Sequence, residues 1–198
     1  MVDLVFAVAG RAVPRGYRGA LATALTEALP WLAGTPGAAV HRLNLSAGGG
    51  SEALLSHRTR LTLRLPRERL DAAAALSGRR LAVGEHALAV GEAEVRELRP
   101  FHTLYAHVVA GSSAEAPDEL AFQREVEAEI ASRGWPCRAI FGRPVSLEGG
   151  RLHGAPVMLD GLLPDTAEAV LCLGLGVHPL LGCGVFVPHK SAAAVGSG

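Results

Sequence analysis

Twice in 198 residues the hydrophobic pattern runs through strand, helix, strand, strand, helix and strand in the same order, and this repetition limits the fold more than any other feature of the chain. In the first pass, residues 2–9 (VDLVFAVA) form an apolar run of strand length. Tyr17–Leu32 then carries Leu21, Ala24, Leu25, Ala28 and Leu29, the stripe of a helix laid on a sheet. A strand is predicted over 39–45, a glycine-rich turn over 47–51 and a strand over Arg58–Leu65. Pro66 opens a short helix ended by Ser77-Gly78, and strands near 80–90 and 93–99 complete the half. After Pro100 the order restarts. A strand at 102–110 leads through a loop ending in Pro117-Asp118 to a helix reaching Ser132, followed by strands near 137–147 and 151–160. A helix over 165–173 and a last strand, Gly184–Val187, close the second pass.

This order is that of the ferredoxin-like βαββαβ unit, in which right-handed crossovers put both helices on one face of an antiparallel sheet. The predicted fold class is therefore α+β, with two tandem ferredoxin-like (RRM-like) halves at residues 1–99 and 100–188, a cleft between their sheets, and a flexible tail at 189–198. No apolar run approaches the roughly 18 residues needed to cross a bilayer, and the start of the chain has no basic segment ahead of its apolar stretch. Cys137, Cys172 and Cys183 form no CxxC pair and leave an odd thiol, which argues against a structural zinc and fits a reducing compartment. The expectation is a cytoplasmic protein with no membrane partner.

A net charge of zero hides an asymmetry. Residues 1–80 hold 11 Arg against 5 acids, a balance of +6, and the remainder carries the opposite balance. The basic surface belongs to the first half, and it is built almost wholly from arginine, whose planar guanidinium suits phosphate. Alternation across the strand Arg58–Leu65 puts Leu61, Leu63 and Leu65 on one face and Arg58, Arg60, Thr62 and Arg64 on the other. Alternate residues of a strand stand about 6.5–7 Å apart, a spacing able to follow a nucleic-acid backbone, although a solvated polar face has the same pattern. Near the other end of the chain, Gly174, Gly176, Gly182 and Gly184 surround Val177-His178-Pro179-Leu180-Leu181 between a helix and a strand. Such a loop lets backbone approach a ligand and can turn successive N–H groups toward an anion; the competing explanation is a tight connection that only needs positive φ.

Two ferredoxin-like halves that end in GLGVHPLLGCGVF resemble the RAMP superfamily of CRISPR-associated proteins. Within it the chain is most similar to the Cas-six family of precursor-crRNA endoribonucleases, I-MYXAN-type branch. The similarity extends over VDLVFAVAG, GYRGALATALTEALPWLAG, VHRL, RLTLRLPRERL and the terminal glycine loop, of which only the last is specific. The resemblance implies cleavage of the CRISPR repeat without metal or cofactor. A base takes the proton of a ribose 2′-hydroxyl, the 2′ oxygen attacks the adjacent phosphate, and 2′,3′-cyclic phosphate and 5′-hydroxyl ends result. It implies repeat RNA as the partner, as precursor and as retained mature crRNA, and allows other CRISPR effector subunits as further partners.

The family base is a histidine near the first helix or the following strand, which is His41 here. Imidazole suits the task because its proton affinity lies near neutral pH. His57, beside Arg58, is the second catalytic candidate, with either histidine as base and the other as acid. Arg42, Arg58, Arg60 and Arg64 are the expected phosphate contacts, and Gly174, Gly176, His178, Gly182 and Gly184 the expected loop contacts to RNA. The loop departs from the family pattern in lacking basic residues at its centre, so its grip would rest on backbone N–H groups and His178. Tyr17 is read as a core aromatic in preference to a base-stacking one, and Trp31 and Trp135 as core plugs. Two other functions fit parts of the sequence. One is a non-catalytic RNA-binding subunit of a CRISPR effector complex. The other is a 2H-type phosphoesterase, from the triplets His57-Arg58-Thr59 and His189-Lys190-Ser191.

Overall fold

A computed structural model describes residues 1–112 and 118–189, which form two compact units. The first comprises Met1–Glu97 with Pro179–Gly182; the second comprises Leu98–His178 and the described residues from Cys183 onward. The predicted tail, from Lys190 on, and the predicted loop before Asp118 fall outside the described residues, as do Lys190 and Ser191 of the second H-x-[ST] triplet.

Unit 1 contains β1 (Val2–Ala9), β2 (Ala12–Pro14), α1 (Tyr17–Ala28), β3 (Ala39–Val40), β4 (Ser46–Ala47), β5 (Glu52–Leu54), β6 (Arg60–Leu65), α2 (Leu70–Ala74), β7 (Arg80–Val83) and β8 (His86–Glu97). Its main sheet has the order β3-β6-β1-β8-β7, every pairing antiparallel. The sheet has one dry face because alternation in β1 and β6 aims Leu4, Phe6 and Val8 and Leu61, Leu63 and Leu65 at the helices. They meet Tyr17, Leu21, Ala24 and Leu25, which recur on one face of α1. Each fully buried leucine among them contributes about 1.5–3 kcal/mol of transfer free energy, so this face sets the register of the whole unit.

Unit 2 repeats the plan with β9 (Thr103–Ala110), α3 (Glu119–Ser132), β10 (Arg138–Phe141), β11 (Val145–Leu147), β12 (Leu152–Asp160), α4 (Pro164–Leu173) and β13 (Phe186–Pro188). Its order is β10-β12-β9-β13, with β11 also paired to β12. Phe122, Val126 and Ile130 of α3 and Ala167, Val170 and Leu171 of α4 bury the same face of this sheet, with Trp135 in their cluster. With the β7–β8 hairpin counted as the fourth position in unit 1, and the short β11 left out in unit 2, both sheets read second strand, third, first, fourth, which is the ferredoxin-like arrangement.

Several predicted boundaries move, each for a local reason. The first helix ends at Ala28, short of Leu32, because Pro30 cannot continue it and pushes Leu29 to φ −132°. Trp31 is only partly buried, with the Arg69 guanidinium 5.1 Å from its ring centre. The strand predicted over 39–45 pairs only at Ala39 and Val40, since side chains take over its backbone partners: the Leu43 N–H donates to the Tyr17 hydroxyl, and the Thr59 hydroxyl donates to Asn44 O. Beyond it, β4 and β5 pair around the glycine turn and join β2 in a separate three-stranded sheet that the periodicity did not reveal.

The strand predicted from Arg58 begins at Arg60. Ser56 and Thr59 bond each other across a turn that occupies residues 56–59. The break predicted near residue 91 lies instead at Gly84-Glu85, where Gly84 adopts φ 63° between Val83 and His86. Gly91 sits over Ala7 where the pairing with β1 shifts register, so β8 continues through it as one strand.

Candidate active site

Asp3 and Arg64 of the unit 1 sheet meet on its helix-free face. Asp3 points there because it alternates with the buried Leu4, and in the register of the sheet it stands opposite Arg64 of β6. Arg64 Nε donates to Asp3 Oδ1 at 2.8 Å and Nη2 to Oδ2 at 3.0 Å, a two-pronged pair in which Arg64 is 3% exposed and Asp3 17%. At the end of β3 the His41 N–H donates to Thr62 O, so the backbone of His41 is tied to β6. Its ring turns onto the same carboxylate, with Nε2 3.2 Å from Asp3 Oδ1 and the side chain 16% exposed. Burial pushes the Asp3 carboxyl up. The hydrogen bonds and charges of His41 and Arg64 outweigh burial and hold it well below the usual carboxylate range.

On the other side of β3, the segment Pro179–Gly182 packs on α1. Arg18 Nη1 donates to Leu181 O at 2.6 Å, and Leu180 rests against the hydrophobic core. Tyr17, Arg18, Val40, His41, Arg42 and Gly182 line one shallow depression there. Gly182, at φ 74°, lies so close to Val40 O and Arg42 N that a Cβ would meet them at 3.1 and 3.4 Å, and Arg18 Nη1 at 2.7 Å. Tyr17 itself is buried, its hydroxyl spent on Leu43 N–H, in keeping with a core role.

The candidate residues thus fall into groups. His41, Arg42 and Gly182 come together, and Arg42 is exposed beside the histidine. Arg64, expected to face phosphate, is instead buried against Asp3: alternation placed it correctly on the helix-free face but said nothing of whether that face is wet at this point. His57 and Arg58 are exposed in the turn ahead of β6, and among the described residues no hydrogen bond or ring contact joins His57 to His41. Arg60 is exposed but folds back, donating to His57 O and Thr59 O. Thr59 is buried and structural, which leaves the H-x-[ST] reading of that triplet without its hydroxyl.

In unit 2 the glycines of the loop answer to the protein's own backbone. A Cβ at Gly174 would meet Gly184 O at 2.5 Å, at Gly176 Ala110 O at 2.3 Å, and at Gly184 Leu175 O at 1.9 Å. The N–H groups of residues 174, 175, 177, 183 and 184 donate to main-chain carbonyls, and that of Gly176 to a Glu129 carboxylate oxygen at 2.9 Å. The expected anion-binding concavity is therefore largely consumed by internal hydrogen bonds, and His178, exposed at φ 64°, is the loop's outward polar side chain. Among the described residues, no group of three or more His, Cys, Asp or Glu is placed to hold a metal ion, and no helix is long and apolar enough to cross a membrane.

Asp3 and Arg18 were missed by sequence reasoning. The first had a signal: it is the single acid inside an apolar strand, at a position facing away from the helices. Arg18 had none beyond its place in the first turn of a helix.

Comparison with known proteins follows the same lines. The profile of the family described as Cas6 Crispr matches residues 2–191. The CRISPR-associated endonuclease Cas6 of Myxococcus xanthus (strain DK1622) is 29% identical over 198 residues, covering 99% of this chain and 85% of its own. Among solved structures, a Cas6-related protein from Pyrococcus furiosus superposes with a TM-score of 0.69 at 13% identity, over 94% of this chain and 97% of its own. A structure described as a CRISPR-associated protein Cas6 gives 0.67 at 13% identity, over 96% and 99%. With a family match that runs from β1 past the last strand and a fold shared with such structures, the chain belongs to the Cas6 family of CRISPR-associated proteins.

Proposed function

We propose that the chain is a CRISPR RNA-processing endoribonuclease that cuts precursor crRNA within the repeat, in the cytoplasm, and that residues 1–99 hold its catalytic group. The observation that carries the reading is His41: an imidazole fixed at the end of an edge strand, beside the exposed Arg42 and a glycine segment from the far end of the chain. The endonuclease name of the Myxococcus xanthus relative supports it. In the proposed reaction His41 takes the proton of a ribose 2′-hydroxyl, and the 2′ oxygen bonds to the adjacent phosphorus. The bond from phosphorus to the 5′ oxygen breaks, and that oxygen leaves with the electron pair and gains a proton. A 2′,3′-cyclic phosphate and a 5′-hydroxyl remain. Arg42 offsets charge on the crowded phosphate, and Arg58 and Arg60 extend the basic surface along the RNA. No step requires a metal.

Incubating the purified protein with the repeat RNA encoded beside its own gene, with and without EDTA, tests this, with the new ends mapped. Cleavage in EDTA is expected. His41→Ala should lower single-turnover cleavage at least about a hundredfold while repeat binding persists, the usual cost of losing a positioned acid–base group. Unchanged cleavage by His41→Ala removes His41 from the chemistry. Wild-type protein that binds the repeat and cuts nothing would be a non-catalytic crRNA-binding subunit of an effector complex.

A further inference from the structure

The carboxylate of Asp3 is spoken for from two sides, and the combination has a chemical consequence for His41. Arg64 approaches the carboxylate with two N–H groups, one to each oxygen, and is itself almost wholly buried, so the carboxylate has one orientation and one charge state beside it. An ionised carboxylate only accepts hydrogen bonds. The imidazole nitrogen 3.2 Å from Oδ1, Nε2, must therefore be the one that carries hydrogen. A neutral imidazole has a single N–H, which leaves Nδ1 with its lone pair. Among the described residues Nδ1 receives no hydrogen bond, and no buried side-chain nitrogen or oxygen lacks a partner, so Nδ1 opens to the surface. The backbone from which the ring projects is held by the bond from His41 N–H to Thr62 O.

We infer that Asp3 is a positioning residue: clamped by Arg64, it keeps the His41 proton on Nε2, presents Nδ1 as the atom that accepts the 2′-hydroxyl proton, and stabilises the imidazolium that results. The inference rests on the reading of His41 as the base, and it makes Arg64 a support for catalysis in place of a ligand for RNA. A salt bridge that served the fold alone would leave the tautomer of His41 and the rate of cleavage indifferent to the carboxylate.

The tautomer is measurable on the unaltered protein, by long-range proton–nitrogen correlation spectra after labelling its histidines with nitrogen-15, with the His41 signals identified by their loss in His41→Ala. In the neutral ring, a protonated Nε2 and an unprotonated Nδ1 are expected; a proton on Nδ1 overturns the inference without any variant having to fold. Cleavage is then compared in Asp3→Asn and in the double variant Asp3→Asn, Arg64→Met, which removes the buried guanidinium along with its partner. Both should cleave about a hundredfold more slowly, while affinity for a repeat carrying a 2′-deoxy sugar at the cut site stays within about twofold. Wild-type rates in the double variant overturn the positioning role. Wild-type rates in His41→Ala defeat the underlying reading of His41 itself, a different result from a different protein.

Discussion

The two sheets share a strand order yet treat the same place in it differently. In unit 1 the first strand supplies Asp3, opposite Arg64 of the third; in unit 2 the first strand supplies Thr103, opposite Asp160 of the third. The edge strands differ as well: Ala39 stands beside Arg64 and His41 follows two residues on, whereas Arg138 stands beside Asp160 and Ile140 follows two residues on. One sheet therefore holds a buried guanidinium, a carboxylate and an imidazole. The other holds a hydroxyl, a carboxylate and an exposed arginine, with the Thr103 hydroxyl donating to Asp160 at 2.7 Å. The duplicated architecture explains why each half folds around its own core. It does not explain the cluster of His41, Asp3 and Arg64, whose three side chains only one half possesses.

Solvent is the first point at which this contrast can be broken. Arg64 is 3% exposed in its pair with Asp3, while Arg138 is 72% exposed in its pair with Asp160. Arg64→Ala leaves a carboxylate in a largely dry setting and should cost about 3 kcal/mol or more in urea unfolding. Arg138→Ala removes a solvated partner and should cost no more than about 1 kcal/mol. Equal costs for the two variants would mean that the buried pair has no special weight.

Glycine gives a second, smaller contrast. At Gly184 an added Cβ would run into Leu175 O, a backbone atom that cannot move alone, in addition to the strain of φ 67°. Gly184→Ala is expected to destabilise by about 2–3 kcal/mol. At Gly182 the nearest atom is the tip of Arg18, which can swing aside, so Gly182→Ala should cost about 1–2 kcal/mol, mostly from φ. Thermal unfolding of the two variants side by side checks the order, and a costlier Gly182→Ala would mean that Arg18 cannot yield.

The same contrast marks what could be read in advance. The apolar run VDLVFAVA, the alternation in RLTLRL and the stripe of α1 were enough to place β1, β6, α1 and the dry face of the unit 1 sheet, because burial of one face enforces a local period. His41 was legible only through the resemblance, and Arg42 with it. The pairing of Asp3 with Arg64 joins residues 61 apart, and that with His41 residues 38 apart, across strands that become neighbours only when the sheet forms. Periodicity cannot see such a contact. Nor could it distinguish Arg60, which is exposed, from Arg64, four residues along the same face and buried. The loop glycines were visible as glycines; that Gly174, Gly176 and Gly184 serve close backbone packing required the carbonyls of Ala110, Leu175 and Gly184 to be in place.

The weakest expected effect is the acid dependence of stability, and it separates the two carboxylates by the share each contributes. Both Asp3 and Asp160 are held below the ordinary carboxylate range in the folded chain: Asp3 against its burial by His41 and Arg64, Asp160 by the Thr103 hydroxyl and, against desolvation, by Arg138. A carboxyl depressed by folding adds stability above the value it has when unfolded, near 4, and that contribution is lost as pH falls toward the folded value. Between about pH 5 and pH 3 the Asp3 linkage should remove about 1 kcal/mol from the unfolding free energy. In the double variant Asp3→Asn, Arg64→Met that part of the slope should disappear even if the absolute stability has changed, since linkage depends on the titrating group and not on the remaining contacts. Asp160→Asn should change the slope less than the double variant does, because the Thr103 hydroxyl is a neutral donor and Arg138 stands in water, which screens its charge. Urea midpoints measured at half-unit steps of pH distinguish the cases. A slope lost in Asp160→Asn and kept in the double variant would reverse the assignment of the two carboxylates.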